Sequence, residues 1–350
     1  MEQDAVVQVA DEKIQHSALT RLYTERLNTK NYDLIDTHKK NVTDAVATYG
    51  YSHAEPLNAA TKEELKRFSE EIYRLNAREM IEFGSHVQQN SLSGLLKGFG
   101  KYVEPERPSR VVASEIVLQN PVYMSSTMKE GWESLTLAEK KRLENIIRDG
   151  LSKGLDEKAI IKNVSNTFSL TRVHSEGLVI TGVTSVYAQV DQQVYAANSK
   201  FLSGYQYVAV LDNRTSPTCR ALDHQVFPVE DTGHLPPQHF RCRSTTVPVP
   251  KNWQDLMKSD AVRATRNRNI LGLTTDQIEE YDRSAAKHFS GRKLPIETYS
   301  EWLYRQPTNI QLMHLGDTTK LKMFQKGEIT VDKFLTPKGA SIGLRELREI

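Results

Sequence analysis

Apolar positions recur every three or four residues over much of the first ninety positions. In the run TKEELKRFSEEIYRLNAREMIEF, Leu65, Phe68, Ile72, Leu75 and Phe83 fall on one side of a helix. Thr61 and Glu64 have the spacing of a capping box at its start. An earlier stripe through Ile14, Leu19, Leu22 and Leu27 predicts another helix, interrupted by the polar stretch Asn28 to Asn31. Two such helices cannot bury their stripes alone, so this arm is expected to pack on the rest of the chain or on a partner.

The run NSLSGLLKGFGKYVEPERPSR has three glycines and two prolines and reads as a linker. Beyond it, Thr136 and Glu139 suggest a second capping box, opening a helix that closes on Gly154. A shorter helix follows from Asp156 to Phe168. A long one then runs from Thr171 to Lys200, with Val179, Val183, Val186, Val190 and Val194 on one side. The pattern next turns β-rich. A strand is expected from Tyr205 to Leu211, and HQVFPV and RSTTVPV give two more. Pro228, Pro248 and Pro250 suit strand ends or sheet edges. The last hundred residues read as short helices, including TTDQIEEYDRSAAKHF, with Trp302, Leu303 and Leu315 as anchors.

The expected fold is α+β, mostly helical with a small antiparallel sheet in a central domain. Four regions follow: a helical arm (1–90), a linker (91–135), a domain of helices and sheet (136–250) and a helical tail (251–350).

Composition narrows the function. Lys and Arg number 46 against 44 Asp and Glu, a formal net charge of +2, which argues against wholesale wrapping of nucleic acid. It leaves room for local basic patches. The linker carries Lys97, Lys101, Arg107 and Arg110 beside Phe99 and Tyr102; Arg263, Arg266 and Arg268 form a second cluster. Lys97, Lys101, Arg263, Arg266 and Arg268 are the DNA-contact candidates, with a solvated surface as the plainer alternative. A mean hydropathy of −0.53 fits helices with solvated faces. No apolar run approaches the ~20 residues of a membrane span, and the acidic start does not read as a signal peptide. A cytoplasmic setting, and no membrane partner, is the expectation.

Both cysteines of the chain and three of its ten histidines fall between Thr215 and Ser244. His239 precedes Cys242 by three positions, a spacing that lets a tight turn aim both side chains at one centre. Cys219 adds a third donor. His224, His234, Asp212 or Asp223 could add a fourth, and structural zinc takes four. Two other readings stand beside the metal: a disulfide, which needs an oxidising setting, and two thiols packed as small hydrophobes. Arg241 and Arg243 would share the strand face opposite Cys242 and could bridge to Asp212, Asp223 or Glu230. A Cys–His nucleophile lacks an evident third member, and an HNH nuclease would need a different His and Asn spacing. No nucleotide-binding glycine loop, HExxH or GxSxG motif is present. The expectation is therefore no enzymatic activity. The rival of a different class is a metal-dependent nuclease or toxin-like effector of a phage or mobile element.

The strand ending in Asp212, the run Arg214-Thr215-Ser216, Cys219, the pair Leu222-Asp223, and then Pro236, Pro237, His239, Cys242 and Arg243 appear in an order that resembles the Mu F-like head morphogenesis family of tailed bacteriophages. Asp212, Arg214, Thr215, Asp223 and Arg243 are the structural positions of that motif. Thr181, Gly182 and Val183 stand where many relatives carry Arg-Thr-Glu, and His224 where glycine is common. The resemblance implies a minor capsid protein in the virion, on the capsid interior near the portal vertex, assembled in the host bacterial cytoplasm. It implies contact with the portal protein, with major capsid or scaffold protein and with packaged double-stranded DNA, and a role in procapsid assembly and DNA packaging or ejection. Zinc at Cys219, His239, Cys242 and His224 is the cofactor consistent with this reading.

Overall fold

The computed structural model describes residues 2–49, 54–100, 103–108, 113–123, 125–153, 155–252, 297–336, 340–344 and 346–348. Lys101, Tyr102, Arg110, Arg263, Arg266, Arg268 and the helix expected at 274–289 lie outside them. The fold is mostly helical α+β with two small antiparallel sheets, as the sequence leads one to expect.

Helix α1 spans Glu2–Tyr49 and α2 spans Ala54–Phe99. At 1.5 Å per residue each is roughly 70 Å long. The short α3 (Ala113–Leu118) and a two-stranded ribbon of β1 (Pro121–Tyr123) and β2 (Ser126–Thr127) lead into α4 (Met128–Ser152). Helix α5 (Glu157–Ala197) is the central element and packs against α1, α2, α3, α4 and the sheets. Its residues 181–188 are buried without interruption. That explains its apolar, β-branched composition, since a helix hydrophobic all round must be enclosed. Leu27, Ile35, Ile72, Met80, Phe83, Trp132, Val179, Val183, Val186 and Val190 form one core.

Several local expectations are corrected. Asn28 to Asn31 do not interrupt α1, because the buried Asn31 exchanges side-chain hydrogen bonds with Asn76 on α2 and donates to Ser175 Oγ on α5. Thr61 and Glu64 do not cap a helix. Thr61 Oγ1 donates to Leu57 O within α2, and Glu64 faces His38 at 3.1 Å. Thr136 and Glu139 also lie mid-helix, with Glu139 buried against Thr171 and Arg142. Helix α4 is capped instead by Thr127 and Glu130, whose backbone N–H groups bond each other's side chains at 2.7 and 3.3 Å. Residues 90–99, read as linker, are the last turns of α2, where Gly94 and Gly98 are buried. The two helices expected between Asp156 and Lys200 are one, N-capped by Asp156, whose carboxylate accepts from Ala159 N at 2.7 Å. From Leu27 onward the arm's apolar positions Leu27, Ile35, Leu65, Phe68, Ile72 and Phe83 are buried within the chain, whereas Leu22 stays 59 % exposed.

After α5 comes the three-stranded antiparallel sheet, in the order β4-β3-β5. Strand β3 is Leu202–Val208, β4 is Val226–Pro228 and β5 is Thr245–Pro250. The proline-bearing strands are the two edges, where a missing N–H costs least. Between β3 and β4 lies α6 (Pro217–Leu222), N-capped by Ser216 with Pro217 in its first turn. A C-terminal unit of α7 (Tyr299–Tyr304), α8 (Thr308–Leu315), α9 (Thr318–Gln325) and a 3-10 turn (Val331–Phe334) has its own core. Leu303 and Leu315 are buried in it and Trp302 partly so. The 3-10 turn lies against α6, and the unit thereby joins the sheet.

Candidate metal centre

Three segments aim donors at one point. Helix α6 presents Cys219, whose N–H bonds the Ser216 cap at 3.2 Å. The loop before β5 presents His239 and Cys242, closed by a turn in which Cys242 N donates to His239 O at 3.1 Å. Helix α5 braces that loop. Thr184 Oγ1 donates to Cys242 O at 2.8 Å, and Arg241 N donates to Thr181 Oγ1 at 2.9 Å. Phe240 covers Gly177, where an added Cβ would stand 2.4 Å from its ring. The Pro236–Pro237 bond in this loop is cis. Arg241 is left-handed at φ 63°, held through its amide and by its guanidinium on Val173 O.

Cys219 Sγ stands 3.7 Å from Cys242 Sγ and 3.1 Å from His239 Nε2, and all three donor atoms lie within 4.8 Å of one another. Both thiols are free, and each residue is no more than 1 % exposed. His239 Nδ1 lies 2.9 Å from Phe240 O. A carbonyl oxygen can only accept, so Nδ1 carries the hydrogen and Nε2 is the nitrogen turned to the sulfurs, a donor when the ring is protonated and a free lone pair when it is neutral. Cys242 also receives backbone N–H groups from Ser244 and Gln238. The hydrogen bond from Cys219, then those from His239 and the backbone, pushes Cys242 down; that same bond and burial push Cys219 up. His239 is raised, first by its hydrogen bond with Cys242. Two sulfurs and an imidazole nitrogen, preset as acceptors in a buried turn, are the donor types that hold zinc.

The remaining motif residues serve the frame. Asp212 takes a bidentate bond from Arg243 at 2.7 and 2.8 Å, the N–H of Arg214 at 2.9 Å and the hydroxyl of Thr215 at 3.2 Å. Arg243 foremost lowers its pKa from 3.8 to about 2. Asp223 accepts from Ala209 N at 2.8 Å and from Tyr299 N at 2.7 Å. It therefore ties the sheet to the C-terminal unit.

His224, the sequence candidate for a fourth ligand, is not in the cluster. Its Nδ1 faces Asp223 Oδ2 at 3.0 Å, and its φ of 62° is the left-handed conformation for which glycine is the usual choice. Arg241 and Arg243 do not share a strand face, because both precede β5; Arg243 makes the bridge to Asp212. Lys97 is exposed on the last turn of α2, far along the chain from the other described motif positions. The residue that sequence reasoning missed is Tyr207, whose buried hydroxyl lies 3.2 Å from Cys219 Sγ and 3.8 Å from Cys242 Sγ. Its β-strand setting carried no signal of that role.

A helical platform bearing a three-stranded sheet with a Cys-His-Cys cluster between them defines the class of domain. Residues 141–247, about a third of the chain, match the family model described as Phage Mu protein F like protein, which supports the Mu F-like reading of this segment. It takes in the second half of α4, α5, β3, β4, the first half of β5 and the whole cluster. No curated protein and no solved structure matches the chain. No helix among the described residues is long and apolar enough to cross a membrane.

Proposed function

We propose that this chain is a minor head protein of a tailed phage, acting in head morphogenesis at the portal vertex. The observation that supports this reading is the 141–247 match, which encloses both the cluster and the elements that build it. The chain would contact the portal protein and the major capsid or scaffold protein, and reach packaged double-stranded DNA through basic patches such as that at Lys97. Cys219, His239 and Cys242 would hold a structural zinc ion that staples α6 to the loop before β5. Two sulfurs this deeply buried suit a staple better than a nucleophile, which must reach its substrate. That burial supports a non-enzymatic role for the cluster.

The test is assembly. Proheads made from the same phage's capsid, scaffold and portal proteins, with this chain co-expressed, should retain it in few copies, and purified portal should bind it by native mass spectrometry. A chain absent from proheads and from portal complexes would refute the reading. Deleting the arm is a poor control, because α1 and α2 contribute to the large helical core they share with α4 and α5; charge changes on exposed positions keep the fold. Retention on DNA that survives neutralising Lys97, Lys101, Arg263, Arg266 and Arg268 would remove the DNA contact.

A further inference from the structure

Three protein donors leave a tetrahedral zinc one short. Each residue that the sequence offered as a fourth is committed elsewhere. His224 sits on Asp223, His234 on Asp231 at 2.9 Å and stacked on Phe227, Asp212 on Arg243, and Asp223 on two backbone N–H groups. The Ser216 and Ser244 hydroxyls and the phenol of Tyr207 do face the cluster, and of these the phenol is the one that ionises to an anionic donor within reach of both sulfurs.

Its geometry is that of a ligand. With Zn–S of about 2.3 Å and Zn–N or Zn–O of about 2.0 Å, a tetrahedron sets two sulfurs ~3.8 Å apart and each sulfur ~3.5 Å from a nitrogen or oxygen donor. The sulfurs stand 3.7 Å apart. The Tyr207 oxygen, at 3.2 Å from one and 3.8 Å from the other, brackets the sulfur–oxygen edge. Nor is the phenol free to swing away. Tyr207 lies on the central strand, paired with Thr246, with its N–H on Gln225 O at 2.9 Å and its carbonyl accepting from His224 N at 2.8 Å. Its fully buried ring packs among Ala209, Leu222 and Phe227.

We propose that Tyr207 supplies the fourth donor, making a Cys219-Tyr207-His239-Cys242 zinc site that pins the central strand as well as α6 and the loop. This rests on the metal reading above. On binding Zn(II), the two thiols and the phenol yield their protons to solvent, and His239 coordinates through Nε2. Two thiolates and one phenolate on a dication leave the centre with a net negative charge, offset by the Arg243 guanidinium beside Cys242.

The experiment titrates Zn(II) into full-length, chelator-stripped protein at neutral pH and follows the near-ultraviolet difference spectrum, with Co(II) as a parallel probe. Expected is a metal-bound phenolate band that saturates at one equivalent in wild type. In Tyr207→Phe the band is absent, while the thiolate-to-cobalt absorption persists and the cobalt d–d bands shift as water takes the fourth place. The wild-type band needs no variant, so poor folding of Tyr207→Phe does not undo the test. Stoichiometric metal with thiolate–cobalt absorption but no phenolate band, or a band that survives in Tyr207→Phe, overturns the role of Tyr207 and leaves the three-donor site standing. Failure to bind either metal overturns the metal reading itself, and this proposal with it.

Discussion

The pair Asp212–Arg243 joins the exit of β3 to the entrance of β5, and the Asp212 carbonyl also accepts the Tyr299 hydroxyl at 3.0 Å. Its worth can be worked from the structure. The carboxyl falls from 3.8 to about 2, and at ~1.4 kcal/mol per pKa unit the unscreened linkage is ~2.5 kcal/mol. The two side chains keep 28 % and 30 % of their surface, so water screens the pair, and ~1–1.5 kcal/mol is the working value. Because the folded pKa lies below the unfolded one, the stabilisation is fully present above about pH 5. It is lost as the pH falls through about 2. Urea unfolding of wild type, Arg243→Met, Asp212→Asn and the double variant gives the coupling directly. It should be ~1–1.5 kcal/mol near pH 7 and roughly half that near pH 3. A coupling under ~0.3 kcal/mol at neutral pH, or one that does not shrink in acid, would refute the reasoning.

Further outcomes follow from other sites. Gly204→Ala places a Cβ 1.9 Å from Phe227 O, a backbone atom that cannot yield, so β4 should detach at a cost of ~3 kcal/mol, seen as lost amide protection at Val226 and Phe227. Gly182→Ala instead meets the mobile ends of Met128 and Met80 at 2.4 and 2.8 Å and should cost under ~1.5 kcal/mol by the same urea measurement. Tyr299→Phe removes the bond to Asp212 O, about 1 kcal/mol, and should raise hydrogen exchange across 299–334 more than across α5. Elemental analysis should find one zinc per chain in wild type and none in Cys219→Ser or Cys242→Ser, with chelation lowering Tm; sub-stoichiometric zinc in wild type would favour two merely packed thiols.

Much of the fold class was legible because its signals are local. The stripe through Leu65, Phe68 and Ile72 and the valines of α5 report periodicity, and the β-rich runs around Pro228 and Pro248 report edge strands. What misled was equally local. An Asn at a buried position looks like a break until Asn76 and Ser175, 45 and 144 residues away, provide its partners. The Thr-x-x-Glu spacing occurs at Thr61 and Thr136 without capping anything, yet Thr127–Glu130 and Thr298–Glu301 do cap. Glycines read as punctuation at 94 and 98 are places where α2 is closely packed.

By itself the sequence determined that two cysteines and His239 belong to one small unit, that the unit is helical with a little sheet, and which family it resembles. These follow from spacing and order along the chain. Only the tertiary structure decided which groups face the sulfurs. His224, five residues from Cys219, turns away to Asp223, whereas Tyr207, twelve residues off on another element, turns in. The reason is physical. A backbone held left-handed at His224 aims its side chain by conformation, while the pleat of β3 and the packing of its core face aim Tyr207. Neither direction is written in nearness along the chain.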